Sequence, residues 1–290
     1  MRQDDNIEHN KLTTDHFQAT MRIPFYKYQG AGNDFIILTD DACPKQSLGA
    51  ELIADLCDRR YGIGADGLIH IASHDQYDFV MDYYNADGSE AFCGNGSRCA
   101  VDWAVRQNRV DKAAREVHFL AADGPHQAFF EKDWVYVKMQ DVVGIRQELH
   151  GYFLNTGAPH FVQIVENVEE IDVQGLGSFL RHSKAFEEGA NINFIMIRGY
   201  NRINLRTYEK GVERETYACG TGAVAAALVG TLYGYTSPVH VSTQGGRLQV
   251  RFVAGTEGFQ DIYLGGPVAK VFEGTIDATA LDSQPTDVFM

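Results

Sequence analysis

The sequence predicts an α+β protein of two pseudo-symmetric domains, each a mostly antiparallel sheet wrapped around one central helix. Three observations carry that reading. Two Cys-Gly-x-Gly turns, Phe92-Cys93-Gly94-Asn95-Gly96-Ser97-Arg98 and Ala218-Cys219-Gly220-Thr221-Gly222-Ala223-Val224, each open a stretch that reads as a helix. Strand-like runs dominate the rest of both halves. Weak matches also recur in one order: Asn33-Asp34-Phe35-Ile36-Ile37 resembles Pro159-His160-Phe161-Val162-Gln163, and Gly64-Ala65-Asp66-Gly67-Leu68-Ile69 resembles Gly189-Ala190-Asn191-Ile192-Asn193-Phe194. The spacing repeats with them, since Asp34 to Cys93 and His160 to Cys219 are both steps of 59, and Ala65 and Ala190 precede their cysteines by 28 and 29. Two copies of one unit follow.

Taken in order, residues 1–21 are polar and charged, without the apolar run of a signal peptide, and read as a disordered extension. An N-terminal domain is expected over 22–140, joined by a returning C-terminal strand at 270–280, and a C-terminal domain over 141–269. In the first half, strand-like runs fall at Phe25 to Leu38, Phe79 to Tyr84, Val117 to Ala121, Gln127 to Phe130 and Trp134 to Met139. A helix is expected from Ala50 to Arg60, with Leu52, Ile53, Leu56 and Cys57 on one face and Gly62 as its stop. A second runs from about Asn95 to Gln107. In the second half, strands are expected at Phe161 to Val165, Phe194 to Ile197, Ile203 to Tyr208, Val239 to Thr243, Leu248 to Val253, Asp261 to Leu264 and Val268 to Phe272. The helix from Gly222 to Tyr233 is apolar on every face, which predicts central burial.

Composition bounds the function. A chain of 290 residues, 44% hydrophobic and 22% charged, can hold two proper cores. A formal net charge of −14 argues against nucleic acid and against anionic membrane, because both demand a basic surface. No apolar run approaches a membrane span. Five cysteines, Cys43, Cys57, Cys93, Cys99 and Cys219, an odd number without a secretory leader, fit a reducing cytoplasm better than a disulfide framework.

The two cysteine turns are the chemical signal. A helix N-terminus presents free N–H groups and a positive dipole end, which stabilise a thiolate and hold a carboxylate. Free cysteine is commonly a packing residue, but a repeated Cys followed by Gly, whose missing Cβ lets backbone approach a ligand, points to a pair of bases. His160 gains interest from its place in Gly157-Ala158-Pro159-His160. Glu209-Lys210-Gly211 and Asn85 lie at matching strand ends, ten and eight residues before their cysteines. Gly62-Ile63-Gly64-Ala65-Asp66-Gly67 matches a dinucleotide loop in letters only, since it follows a helix and precedes a strand. Cys93 and Cys99 lack zinc-ligand spacing, so no metal is expected.

These blocks together resemble the diaminopimelate epimerase family over about residues 22 to 277, most strongly at Gly30-Ala31-Gly32-Asn33-Asp34-Phe35, Asn85-Ala86-Asp87-Gly88-Ser89-Glu90, Cys93-Gly94-Asn95-Gly96 and Ala218-Cys219-Gly220-Thr221-Gly222. The resemblance implies a cofactor-independent epimerase that interconverts LL- and meso-diaminopimelate for lysine and peptidoglycan synthesis, and a homodimer. It implies Cys93 and Cys219 as the acid–base pair, His160 and Glu209 as groups tuning them, and Asn33, Asn85, Asn191, Glu209 and Lys210 as substrate contacts. Gly94-Asn95 and Gly220-Thr221 match a backbone cradle. Three positions depart from the family pattern: Lys210 where arginine is usual, Ala158 where asparagine is common, and Gly67 where some members carry glutamine. Lysine lacks the bidentate fork that arginine offers a carboxylate.

Inversion without pyridoxal phosphate needs a base on one face of the α-carbon, an acid on the other, and charge stabilisation from the protein itself. The helix field is expected to lower both thiol pKa values, with the pair titrating as one thiolate and one thiol. Racemisation of a different amino acid uses the same two thiols. A cysteine hydrolase or amidotransferase working through His160, and a thiol redox sensor, are alternatives that leave one Cys-Gly turn or the cradle unused.

Overall fold

The structure, a computed structural model, describes residues 22–111, 116–186 and 188–277; the expected extension at 1–21 and positions 278–280 of the expected last strand lie outside them. The first half runs β1 (Arg22–Gly30), β2 (Asn33–Thr39), α1 (Ala50–Cys57), β3 (Gly67–Ala72), β4 (Phe79–Asn85), β5 (Glu90–Ala91), α2 (Gly94–Arg106), β6 (Val117–Ala121), β7 (Gly124–Glu131) and β8 (Trp134–Lys138). The second runs β9 (Arg146–Glu148), β10 (Gly151–Asn155), β11 (Pro159–Ile164), α3 (Val173–Arg181), β12 (Asn191–Arg198), β13 (Arg202–Glu209), β14 (Arg214–Thr216), α4 (Gly220–Gly230), β15 (Val239–Thr243), β16 (Gly246–Gly255), β17 (Gly258–Pro267) and β18 (Ala269–Asp277).

The duplication is written in the strand pairing. From β1 to β8 the neighbours are β1–β2 antiparallel, β2–β3 parallel, β3–β4 antiparallel, β4–β6 parallel, then β6–β7 and β7–β8 antiparallel. From β10 to β17 the same series recurs: β10–β11 antiparallel, β11–β12 parallel, β12–β13 antiparallel, β13–β15 parallel, then β15–β16 and β16–β17 antiparallel. Two pairings tie the halves together, β8 with β17 and β1 with β18, both antiparallel. The fold is therefore α+β and mostly antiparallel, with two pseudo-symmetric halves.

The register corrects the sequence match by one residue. Phe35 stands opposite Gly67, and Gly67 opposite Asn85; His160 stands opposite Asn191, and the β12–β13 ladder ends with Ile192 opposite Tyr208, one step before Glu209. Strand side chains alternate between faces, and the cores agree with this offset. Phe35, Ile37, Ile69 and Tyr83 pack with α2, while Val162, Ile195 and Leu205 pack with α4. Phe35 thus occupies the place of His160, Gly67 that of Asn191, and Asn85 that of Glu209.

Each central helix is buried for a reason legible in its residues. In α4, Ala223 through Val229 have no exposed surface, and Val224, Leu228 and Val229 each contribute about 1.5–3 kcal/mol by leaving water. Gly234 at φ 83° then turns the chain out of the short 3-10 segment Thr231–Tyr233. Helix α2 packs against β1–β4, β6 and β8, while α1 and α3 cover the opposite sheet faces with smaller clusters. Among the described residues no helix is long and apolar enough to cross a membrane.

Candidate active site

Both cysteines sit at helix N-caps. Cys93 precedes α2 and its sulfur accepts from the Gly96 N–H at 3.4 Å; Cys219 precedes α4 and accepts from the Gly222 N–H, also at 3.4 Å. Gly222 is required there, and Gly96 is tightly fitted. A Cβ on Gly222 would lie 2.5 Å from Asn193 Oδ1 and 3.3 Å from the Cys219 sulfur, and one on Gly96 would press on Ile69. Gly94-Asn95 and Gly220-Thr221 form the first helical turns, whose N–H groups have no acceptor within a helix.

Asn95 joins the two helix ends. Its Nδ2 donates to the Ala218 carbonyl at 3.2 Å, one residue before Cys219, and to Asn33 Oδ1 at 3.3 Å. The Cys93 thiol approaches the same Asn33 oxygen at 3.7 Å. Below, the fully buried Arg98 donates to Asn95 Oδ1 at 2.8 Å, which fixes the amide's orientation. Asn33 is held in turn by Asp66, which accepts from its Nδ2 at 2.8 Å. Arg59 clamps Asp34 with two hydrogen bonds and reaches Asp66 at 2.8 Å, while Lys27 bonds Asp34 at 2.7 Å. Burial alone would raise the Asp34 carboxyl, but the Arg59 and Lys27 bonds outweigh it and hold it at about 2.

On the second side, Glu209 accepts from Thr216 Oγ1 at 2.6 Å, and its carboxyl and the Cys219 thiol act on one another electrostatically. His160, without exposed surface, lies 2.9 Å from Thr221 Oγ1 and 3.0 Å from Asn193 Nδ2; Thr221 Oγ1 is 3.5 Å from the Cys219 sulfur. Asn191 accepts from the Lys210 N–H at 2.9 Å and donates to the Pro159 carbonyl. Asn85, at the end of β4, accepts from the Tyr83 hydroxyl and donates to Ser89. The structure therefore gathers Asn33, Cys93, Asn95, Asn191, His160, Glu209, Cys219 and Thr221 into one network or its immediate border. The Lys210 side chain is exposed and forms no hydrogen bond or ion pair among the described residues.

The thiol expectation is corrected. Burial pushes Cys93 up to about 11, only partly offset by the Gly96 and Asn95 N–H groups. Burial and then the Glu209 charge also push Cys219 well above its ordinary value, against the Thr221 and Gly222 bonds. Glu209 is itself raised by burial. Two helix ends do not overcome desolvation of the thiols beside a carboxyl of the wrong sign.

Sequence reading missed Asn193, Thr207, Arg98 and Arg59. Asn193 was legible in principle, because Asn191-Ile192-Asn193-Phe194 places two amides on one face of an otherwise apolar strand, where a buried amide needs partners. A separate cavity of about 500 Å³ lies on the solvent side of β8, β13, β15 and β16, lined by Trp134, Arg202, Arg247 and Arg251 among others, and includes neither thiol.

His160 gives a pH signature. Burial drives its pKa down to about 3. An unfolded histidine titrates near 6.5, so below that pH the unfolded chain binds a proton the folded one refuses, and stability falls as pH drops from about 6.5 toward 3. At pH 5 the loss is about 2 kcal/mol. Chemical denaturation of wild type and His160→Gln at pH 7 and pH 5 is expected to show the smaller decline in the variant; equal declines would remove His160 as the source.

The sequence profile of the diaminopimelate epimerase family matches residues 25–143 and 152–271. The diaminopimelate epimerase of Flavobacterium psychrophilum is 42% identical over 258 residues, covering 87% of this chain and 99% of that protein. That of Aquifex aeolicus is 38% identical, covering 89% and 99%. Among solved structures, a Bacillus anthracis phenazine biosynthesis protein of the PhzF family superposes with a TM-score of 0.71 at 14% identity, covering 88% of this chain and 99% of that one. A hydroxyproline epimerase from Agrobacterium vitis, with bound trans-4-hydroxy-L-proline, gives 0.61 at 12%, covering 89% and 93%. These two likenesses speak for the fold alone. With a profile spanning both halves and relatives of this identity over nearly their full length, the chain belongs to the diaminopimelate epimerase family.

Proposed function

We propose that this protein inverts one α-carbon of diaminopimelate, interconverting the LL and meso forms, with Cys93 and Cys219 as its acid–base pair. The observation that supports this most is the Asn95 bridge, which seats two thiol-capped helix ends against one another through the Ala218 carbonyl and Asn33. One cysteine, as thiolate, removes the α-proton; the other, as thiol, delivers its proton to the opposite face. The first-turn N–H groups around Gly94-Asn95 and Gly220-Thr221 receive the α-carboxylate, so the charge developing there meets two helix dipoles. Asn33, Asn85 and Asn191 supply polar contacts.

Glu209 is the place for the substrate ammonium. A positive charge beside Glu209 brings what the empty pair lacks, a cation facing two desolvated thiols, and it lowers both from the raised values burial imposes. Substrate thereby switches on its own base. His160 acts through Thr221 on Cys219.

The setting that fits is the cytoplasm, in supply of lysine and peptidoglycan precursors, with five unpaired cysteines compatible with a reducing compartment. A homodimer is proposed as well; Val271 and Phe272, half exposed on β18, offer an apolar surface for it.

The test is purified enzyme under reducing conditions with LL-diaminopimelate, followed by chiral separation and by deuterium uptake from D₂O. Absence of both inversion and exchange would sink the reading, and inversion of another amino acid alone would reassign the substrate. Lys210→Ala is expected to raise KM several-fold with little change in kcat, since its exposed ammonium is free to meet the distal carboxylate. An unchanged KM removes Lys210 from recognition.

A further inference from the structure

Resting on the reading of Cys219 as an acid–base residue, we propose that Asn193 is a positioning residue. It sets the direction of a hydrogen-bond chain through His160 and Thr221, so that the Thr221 hydroxyl donates its hydrogen to the Cys219 sulfur.

The direction follows from the donor and acceptor inventory. Asn193 cannot flip. Its Nδ2 faces three acceptors, the Phe161 carbonyl at 3.0 Å, the Asn191 carbonyl at 3.2 Å and His160 Nδ1 at 3.0 Å, while its Oδ1 accepts from the Thr207 hydroxyl at 3.0 Å. A neutral imidazole carries one hydrogen, and Nδ1 faces an amide NH2 that has no lone pair to accept it. The hydrogen therefore sits on Nε2 and is donated to Thr221 Oγ1 at 2.9 Å. Asn191 Nδ2 also lies 3.5 Å from Nε2, but it donates to the Pro159 carbonyl at 3.2 Å. With its oxygen accepting from His160, Thr221 has its own hydrogen free for the Cys219 sulfur, 3.5 Å away, which is the direction a thiolate there requires. Four neutral side chains thus orient one donor on a sulfur that would otherwise rely on the Gly222 N–H.

Among the described residues the first half has no such device. By register its equivalents are Phe35, Ile69 and Tyr83; the Phe35 and Tyr83 rings meet edge to face at 5.9 Å, and the one polar atom, the Tyr83 hydroxyl, donates to Asn85. The two Cys-Gly turns also differ at this point, since a Cβ on Gly96 would meet the Ile69 methyl and one on Gly222 would meet the Asn193 oxygen. The pseudo-symmetric thiols are therefore chemically unequal. The Glu209 charge acts on both, but Cys219 has an oriented hydroxyl beside it whereas Cys93 approaches Asn33.

Nitrogen-15 histidine NMR of the full chain reads the ring directly, with His160 assigned by its loss in His160→Gln. The wild type is expected to carry hydrogen on Nε2 with Nδ1 bare, unchanged between pH 8 and pH 5. Asn193→Asp keeps the shape but replaces the donor with an acceptor. A proton is then expected on Nδ1, with kcat lowered about tenfold in both directions, as for loss of one oriented hydrogen bond to a charged sulfur, and KM within twofold. A wild-type ring protonated on Nδ1 overturns the proposal even if the variant fails to fold. So does a variant with an altered ring and unchanged kcat, or an unaltered ring. Failure of the two-cysteine reading would show elsewhere, as full activity in Cys219→Ala.

Discussion

Replacing either Cys93 or Cys219 by alanine is expected to lower the rate of inversion at least a thousandfold. A positioned acid or base is worth about 10²–10⁴ in rate, and inversion needs one group on each face of the carbon, so neither sulfur covers for the other. The variants should differ in what they retain. With Cys219 alone, deuterium from D₂O enters only the isomer whose α-hydrogen points toward that sulfur, and configuration is kept; with Cys93 alone, the other isomer exchanges. Packing gives little reason for misfolding, because shortening each side chain to a methyl group removes one heavy atom, the sulfur. Mass spectrometry of each diastereomer after incubation checks the pattern. Exchange of both isomers by a single-cysteine variant, or inversion near the wild-type rate, would dismiss the pair.

Gly245→Val is expected to lower kcat/KM about a hundredfold although residue 245 touches no reacting group. A Cβ there would lie 1.8 Å from the Ala31 carbonyl oxygen, which is backbone and cannot swing aside, and 3.2 Å from Tyr217 Cβ. Ala31 and Gly32 are the turn between β1 and β2, both with left-handed φ, and Gly245 also donates to the Tyr217 carbonyl. One contact therefore sets the first half's turn against the second half's. Asn33 follows that turn directly, and Tyr217 is two residues before Cys219. Moving these by about 1 Å separates the thiol-bearing helix ends, a misplacement that costs about 10²-fold. Overpacking should also remove about 1–3 kcal/mol of stability. Gly199→Ala is the control, as its Cβ would meet nothing within 4 Å. Steady-state kinetics and thermal melts of both variants check the effect, and a fully active Gly245→Val would show that the contact does not hold the site.

Helix ends show where local reading stops. The expected helix from Ala50 to Arg60 ends at Cys57, because the Asp58 carboxylate accepts from the Arg60 and Tyr61 N–H groups and bends the chain, while a Cβ on Gly62 would strike the Asp55 carbonyl. Helix α3 was missed altogether. It carries Gly175 and Gly177, poor helix formers, and the second is explained only by Tyr208, whose side chain fills the space a Cβ would need. The run from Phe25 to Leu38 is two strands, cut by the Ala31-Gly32 turn.

The sequence by itself determined the α+β class, the duplication, the buried apolar helix and the two cysteine turns, since each depends on periodicity, glycine or spacing along the chain. Only the tertiary structure decided the one-residue offset between the halves, the Asn95 bridge, the raised thiols and the polar chain behind Cys219. Those depend on which face of a strand meets a helix and on how much water is excluded there, and residues more than a hundred positions apart settle both.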